Sequence, residues 1–201
     1  MLEQIKNTAN FLKQKTNCNP KAGIILGSGL GSFVDEVEIK FSIAYNEIPD
    51  FPTSTVEGHE GKLIFGLIDD KEVVVMQGRF HYYEESDIDK VVFPIRVMKF
   101  LGVKNLIISN ASGGVNPNFE IGDMMIIEDH INLIPNPLVG PNFDELGTRF
   151  PDMSQPYCKK MISDAEEIAK THKITLQKGV YVGVTGPTLS LIHISEPTRR
   201  K

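Results

Sequence analysis

The chain has 201 residues, 41% of them hydrophobic and 23% charged, with a formal net charge of −5. That length can bury one good core, and the composition is ordinary for a soluble globular protein. The negative balance gives no electrostatic reason to expect a nucleic acid or an anionic membrane as partner, so any site for an anion must be built from a local cluster of donors.

Along the chain, the stretch MLEQIKNTANFLKQK is charged and interrupted, unlike a secretory signal. Leu2, Ile5, Ala9 and Leu12 recur at the spacing of one helical face and predict an amphipathic helix over 1–16. Asn17 to Pro20 break it, and AGIIL (22–26) reads as a short buried strand running directly into GSGLG. LIFGLI (63–68), a turn at Asp69-Asp70 and VVVMQ (73–77) read as a hairpin. Val91, Ile95, Met98 and Leu101 predict a helix over 87–101, with Pro94 near its first turn or kinking it. NLIIS (105–109) is another buried strand, emptying into NASGG, and MMIIED (124–129) is a further strand. The segment 132–153 holds four prolines and little periodicity and reads as a long loop. Helical spacing returns over 154–171, and VYVGV (180–184) is a last strand leading into TGPT.

No run approaches the ~20 apolar residues of a membrane helix. Cys18 and Cys158 lie far apart without metal-ligand spacing, which suits two reduced thiols in a cytoplasmic protein better than a disulfide. Strands alternating with helices predict an α/β fold with a sheet between helices. In such sheets ligands gather beyond the carboxyl ends of the strands, where GSGLG, NASGG and TGPT would all fall.

The glycines of GSGLG (27–31) let backbone N–H groups approach an anion, and Ser28 adds a hydroxyl donor. A tight strand-to-helix turn would need the same glycines. Ser32 stands where the last glycine of a dinucleotide fingerprint should fall, and no Gly-Lys-Ser/Thr follows, so neither a Rossmann nor a Walker A loop is indicated. In GRFHYYEE, an extended run over 78–83 would place Arg79, His81 and Tyr83 on one face. Arginine presents a planar fork to phosphate oxygens, His81 offers a further hydrogen bond, Glu84 could orient or charge its ring, and Tyr83 could meet a sugar. A polar strand end with surface charges is the plainer alternative. His59, alone in the glycine-flanked loop TVEGHEG, is by itself a solvated histidine rather than a ligand. Glu128, Asp129 and His130 are consecutive along a strand, point to alternating faces, and with Asp123 make no metal site.

Taken in order, GSGLG, FPTSTVEGHEG, GRFHYYE, NASGGVNP, GDMMIIEDHINL, NPLVGPN, RFPDMS and VYVGVTGPT resemble the trimeric purine nucleoside phosphorylases from about Gly23 to Thr188. The resemblance implies one α/β/α domain around a mixed, twisted sheet. It implies that Ser28, His59, Arg79, His81 and the backbone N–H of Ala111 bind phosphate, with His81 and Glu84 as the catalytic pair. Tyr83 is implied to contact the ribose and Tyr181 to line the nucleoside pocket. Phe150 is implied to reach across a subunit boundary onto a neighbour's ribose, in a homotrimer. The implied reaction is phosphorolysis of a purine nucleoside to free base and ribose 1-phosphate, with inorganic phosphate as co-substrate and no metal or organic cofactor.

Where the family continues GPT with Phe-Glu-Thr, this chain has Leu189 and Ser190, followed by LIHISEPTRRK. His193 and Glu196 lack the family's flanking residues and receive no role. The expectation is therefore an incomplete phosphorylase domain over 1–188 with a non-native tail over 189–201, in which the phosphate half of the site survives and base recognition does not. Such a chain would be a weak or inactive enzyme. A phosphate- or nucleotide-binding fragment without turnover is the second reading. A dinucleotide oxidoreductase and a purely structural, aggregating fragment rank behind it.

Overall fold

The computed structural model describes residues 1–52 and 61–186. His59, residues 187 and 188 of the TGPT turn, and the tail over 189–201 lie outside the described residues. The chain divides into two compact units, Met1–Ala111 and Ser112–Lys201.

The first unit opens with helix α1 (Leu2–Thr16), which buries Ile5, Thr8, Ala9, Leu12 and Thr16 along the predicted face. It ends at Asn17, whose left-handed conformation (φ 51°) lets its N–H close on the Lys13 carbonyl. Five strands follow: β1 (Ala22–Ile25), β2 (Glu38–Ala44), β3 (Lys62–Ile68), β4 (Lys71–Gln77) and β5 (Asn105–Ile108). They form one mixed sheet in the order β2-β3-β4-β1-β5. The pairs β2–β3 and β3–β4 are antiparallel, whereas β1 lies parallel to both β4 and β5. The β3–β4 hairpin turns at Asp69 and Asp70, both at positive φ (45° and 62°), the conformation that a two-residue turn needs to match strand twist.

Strand β2 has no counterpart among the predicted elements, although Ile39, Phe41 and Ile43 alternate with polar residues. Its first five residues are exposed and its register shifts between Ile39 and Phe41, so burial never marks its alternation clearly.

Ile24, Leu26, Val37, Ile64, Val73 and Val75 pack together on one face of this sheet. On the other face lies helix α3 (Ile88–Leu101), whose Met98 Sδ sits 3.0 Å from where a side chain on Gly23 would begin. Asp87 caps α3 by accepting the N–H groups of Asp89 and Lys90 at 3.0 and 3.4 Å. Pro94 is buried in the interior of α3 rather than in its first turn. Helix α1 packs against α3. A single helical turn, α2 (Tyr82–Glu85), precedes α3.

The second unit holds strands β6 (Met124–Asn132) and β7 (Leu176–Gly183), paired in parallel, and helix α4 (Lys159–His172). Helix α4 begins at Lys159 rather than at 154 because Pro156 disfavours helical geometry in the residue before it. Between β6 and α4 the chain forms no regular element, as its prolines foretold. A mixed sheet carrying helices is the α/β class that the alternation predicted. Among the described residues no helix is long and apolar enough to cross a membrane. Cys18 and Cys158 are both free thiols, one buried and one exposed.

Candidate functional site

Because β4, β1 and β5 are adjacent and parallel, their carboxyl ends share one edge of the sheet. Three segments leave that edge: GSGLG after β1, GRFHYYE after β4 and Ser109 to Ala111 after β5. With strands ~4.8 Å apart, the three segments start within about 10 Å of one another.

The first segment turns at once. The N–H of Leu30 donates to the Gly27 carbonyl at 3.2 Å and Gly29 takes a φ of 82°, so the exposed Ser28 stands in the turn. Gly27 itself is buried, and a β-carbon there would begin 2.7 Å from both the Asn110 Cα and the Ser109 carbonyl oxygen. The loops after β1 and β5 are therefore in backbone contact, which only glycine permits.

The extended run expected over 78–83 does not form. Strand β4 stops at Gln77, Gly78 turns away at φ 98°, and the chain folds into α2. The reason lies in Glu84. Its carboxylate, with the side chain only 6% exposed, accepts the backbone N–H of His81 at 2.8 Å and lies 3.1 Å from His81 Nδ1. This ties off the start of the helical turn. The predicted cluster survives by another route. His81 and Tyr83 stack with ring centroids 5.0 Å apart, and Arg79 Nε points at His81 Nε2 at 3.4 Å, the long limit of a hydrogen bond. Arg79 Nη1 donates to the Ser109 carbonyl at 3.0 Å, drawing the guanidinium towards β5. Glu84 favours a proton on Nδ1 of His81. That leaves Nε2 as the acceptor facing Arg79.

Phe80 holds this segment down. It is buried between Arg79 and His81 and joins an aromatic group with Tyr45 (5.2 Å) and Phe51 (6.1 Å). Tyr45 contributes more than packing, since its hydroxyl donates to the Gly78 carbonyl at 2.7 Å, where the segment leaves β4. Tyr45, Ser109 and Asn110 carry no role in the sequence reading. Asn110 is the second residue beyond β5, and its Oδ1 is buried with no hydrogen-bond partner among the described residues. Ala111, exposed, closes the first unit.

Burial drives the Tyr45 pKa far above the usual tyrosine value of about 10. The folded state thus keeps a neutral phenol while the unfolded chain ionises, so this contribution to stability is complete below about pH 10 and lost as pH rises above it. The expected decline is ~1.4 kcal/mol per pH unit. Urea midpoints measured across roughly pH 9 to 11 should show a shallower alkaline fall for Tyr45→Phe than for the parent chain, on top of a loss of ~1 kcal/mol at neutral pH from the undonated Gly78 carbonyl.

The second unit carries the other residues implied to meet a nucleoside. Tyr181 is half-buried on β7, opposite His130 on β6. Phe150 is 87% exposed in the loop before α4, with the Arg149 guanidinium 5.9 Å from its ring centroid. A cavity of about 270 Å³ in this unit is lined by Glu128, Asp129, Tyr157, Lys159 and Glu166, among others. Three carboxylates make it a poor receptor for an anion. Beside it the Tyr157 hydroxyl meets His130 Nδ1 at 3.2 Å, and burial, then Asp129 and Tyr181, push the Tyr157 pKa up. Among the described residues no group of three or more histidine, cysteine or carboxylate side chains is placed to hold a metal ion.

A model of the phosphorylase superfamily matches residues 21–191 of this chain. Purine nucleoside phosphorylase 1 of Bacillus subtilis is 54% identical over 189 residues, covering 94% of this chain and 70% of that protein. A crystal structure of a purine nucleoside phosphorylase in complex with ribose-1-phosphate superposes with a TM-score of 0.87 at 46% identity, over 92% of this chain and 71% of that one. A schistosoma purine nucleoside phosphorylase in complex with hypoxanthine superposes with a TM-score of 0.86 at 45% identity, over 92% and 67% of the two chains.

Proposed function

As the chain belongs to the purine nucleoside phosphorylases of the phosphorylase superfamily, we propose that the edge formed by the ends of β1, β4 and β5 is its phosphate site. Arg79, Ser28 and the Ala111 N–H supply donors, His81 presents its Nε2 beside them, and His59 joins them from the segment outside the described residues. The observation that carries this reading is the meeting of Arg79, His81 and the β5 loop where parallel strands end. The net charge of −5 makes such a local cluster necessary.

The reaction we assign is phosphorolysis of a purine nucleoside to base and ribose 1-phosphate. As the glycosidic bond lengthens, C1′ gains oxocarbenium character, and a phosphate oxygen held on the edge stabilises and then captures it. Holding the nucleophile in place can supply ~7–11 kcal/mol of the barrier. Glu84 keeps the His81 ring in position, and Tyr83, stacked on that ring, is placed to meet the ribose. Tyr181 contributes to the nucleoside pocket. The exposed Phe150 is offered to a neighbouring subunit of a homotrimer. The protein acts in the cytoplasm on nucleoside and phosphate, without metal or organic cofactor.

Leu189 and Ser190 replace the Phe-Glu that the family uses to read the base, and we read residues 189–201 as foreign to the 1–188 phosphorylase domain. Turnover by this chain is accordingly expected to be weak or absent. Phosphate-dependent release of hypoxanthine from inosine, assayed beside the Bacillus subtilis relative, tests this. A rate at least a hundredfold lower is expected, and a rate within a few-fold of the relative's overturns it. The alternative, a phosphate-binding fragment without turnover, is favoured if phosphate binds and no base is released.

A further inference from the structure

Strands β1 and β5 form a parallel ladder whose last paired residues are Ile25 and Ile108. In such a ladder, a residue that donates its N–H to residue i−1 of the neighbouring strand gives its carbonyl to the N–H of residue i+1. Ser109 donates its N–H to the Ile25 carbonyl at 3.0 Å, so its own carbonyl is due to the N–H of Gly27. That bond is absent. The Gly27 N–H instead donates to the Ser109 hydroxyl at 3.1 Å, and the hydroxyl donates in turn to the Ile25 carbonyl at 3.2 Å. The Ser109 carbonyl turns to Arg79 and accepts Nη1 at 3.0 Å.

We propose that Ser109 is a positioning residue for phosphate binding: its hydroxyl takes over the last rung of the ladder, which frees its carbonyl to hold the Arg79 guanidinium. A carbonyl oxygen has two lone pairs, but the Ser109 carbonyl is turned out of the ladder towards Arg79, and the hydroxyl supplies the acceptor that this turn takes from the Gly27 N–H. The substitution needs a short side chain with one donor and one acceptor at the strand end, which serine and threonine alone provide in this space. Gly27 completes the device, because any side chain there would displace the same carbonyl. In Ser109→Ala the buried Gly27 N–H has no acceptor but that carbonyl, and Arg79 loses its anchor.

This inference rests on the phosphate-site reading, and one set of titrations separates the two. Inorganic phosphate is titrated calorimetrically into the full chain and into Ser109→Ala, Ser109→Thr, Arg79→Ala and the Ser109→Ala/Arg79→Ala double variant, with melting temperatures measured alongside. Ser109→Ala is expected to bind phosphate about tenfold more weakly, equivalent to ~1.4 kcal/mol, with Ser109→Thr close to the parent. In the Arg79→Ala background, Ser109→Ala should cost nothing further, since the hydroxyl works through the guanidinium. Should Ser109→Ala fail to fold, Ser109→Cys, similar in size but a poor hydrogen-bonding group, takes its place with the same expected weakening. Unchanged affinity in the Ala and Cys variants, or a loss that adds fully to that of Arg79→Ala, overturns the role of Ser109 and leaves the phosphate site standing. No phosphate binding by the parent chain removes both.

Discussion

Replacing Arg79 with alanine is expected to weaken inorganic-phosphate binding by roughly tenfold to a hundredfold, because a hydrogen bond to a charged group contributes ~1.5–3 kcal/mol. The guanidinium is half-buried and held in place by the Ser109 carbonyl at 3.0 Å. Arg79→Lys should recover part of the loss, as a point charge without the planar fork. Calorimetry at two salt concentrations checks this, with the parent's affinity falling as salt rises and the Ala variant's hardly changing. Equal affinity in the parent and Arg79→Ala would move the phosphate site elsewhere. The melting temperature should change little, since the aromatic group of Phe80, Tyr45 and Phe51 carries the packing of this segment.

The opposite pattern is expected for Phe65→Ala. Phe65 is 0% exposed at the middle of β3, paired with Val74 of β4 and Phe41 of β2. Removing a buried aromatic side chain costs ~3–5 kcal/mol from lost transfer and the cavity left behind. For a chain of this size the melting temperature should fall on the order of 10 °C. Phosphate affinity measured well below the melting transition should stay within about twofold of the parent, because Phe65 pairs with Val74, three residues back along β4 from the end that borders the proposed site. Differential scanning calorimetry with phosphate titration distinguishes the two variants: one loses the ligand and keeps the fold, the other the reverse. A large loss of affinity in Phe65→Ala would mean that the sheet's packing and the edge site are coupled.

Much of this was legible before any coordinates. The face of α1 that is buried, the turn at Asp69-Asp70, the span of α3 and the strands before GSGLG and NASGG all follow from periodicity and turn chemistry, although β5, expected to be buried, is an outer strand and largely exposed. These are local signals, decided within a few residues. Strand β2 carries little sequence signal because it is largely exposed and bulged, and α4 starts later than its periodicity suggests because Pro156 falls in the expected first turn. Arg79, His81, Tyr83 and Glu84 do lie together, but not by the geometry expected of them. Alternation along a strand was assumed, and the carboxylate of Glu84 instead folds the chain into a turn.

What the sequence by itself determined is the α/β class and the family, since these depend on composition and order along the chain. What only the tertiary structure decided is which strand ends lie side by side. The order β4-β1-β5 brings together segments that start at Gly27, Gly78 and Ser109, and no pattern within any one of them encodes that neighbourhood. Tyr45 and Ser109 illustrate the reason: each acts through hydrogen bonds to backbone groups distant in sequence. A backbone group looks the same at every position until the fold brings a partner to it.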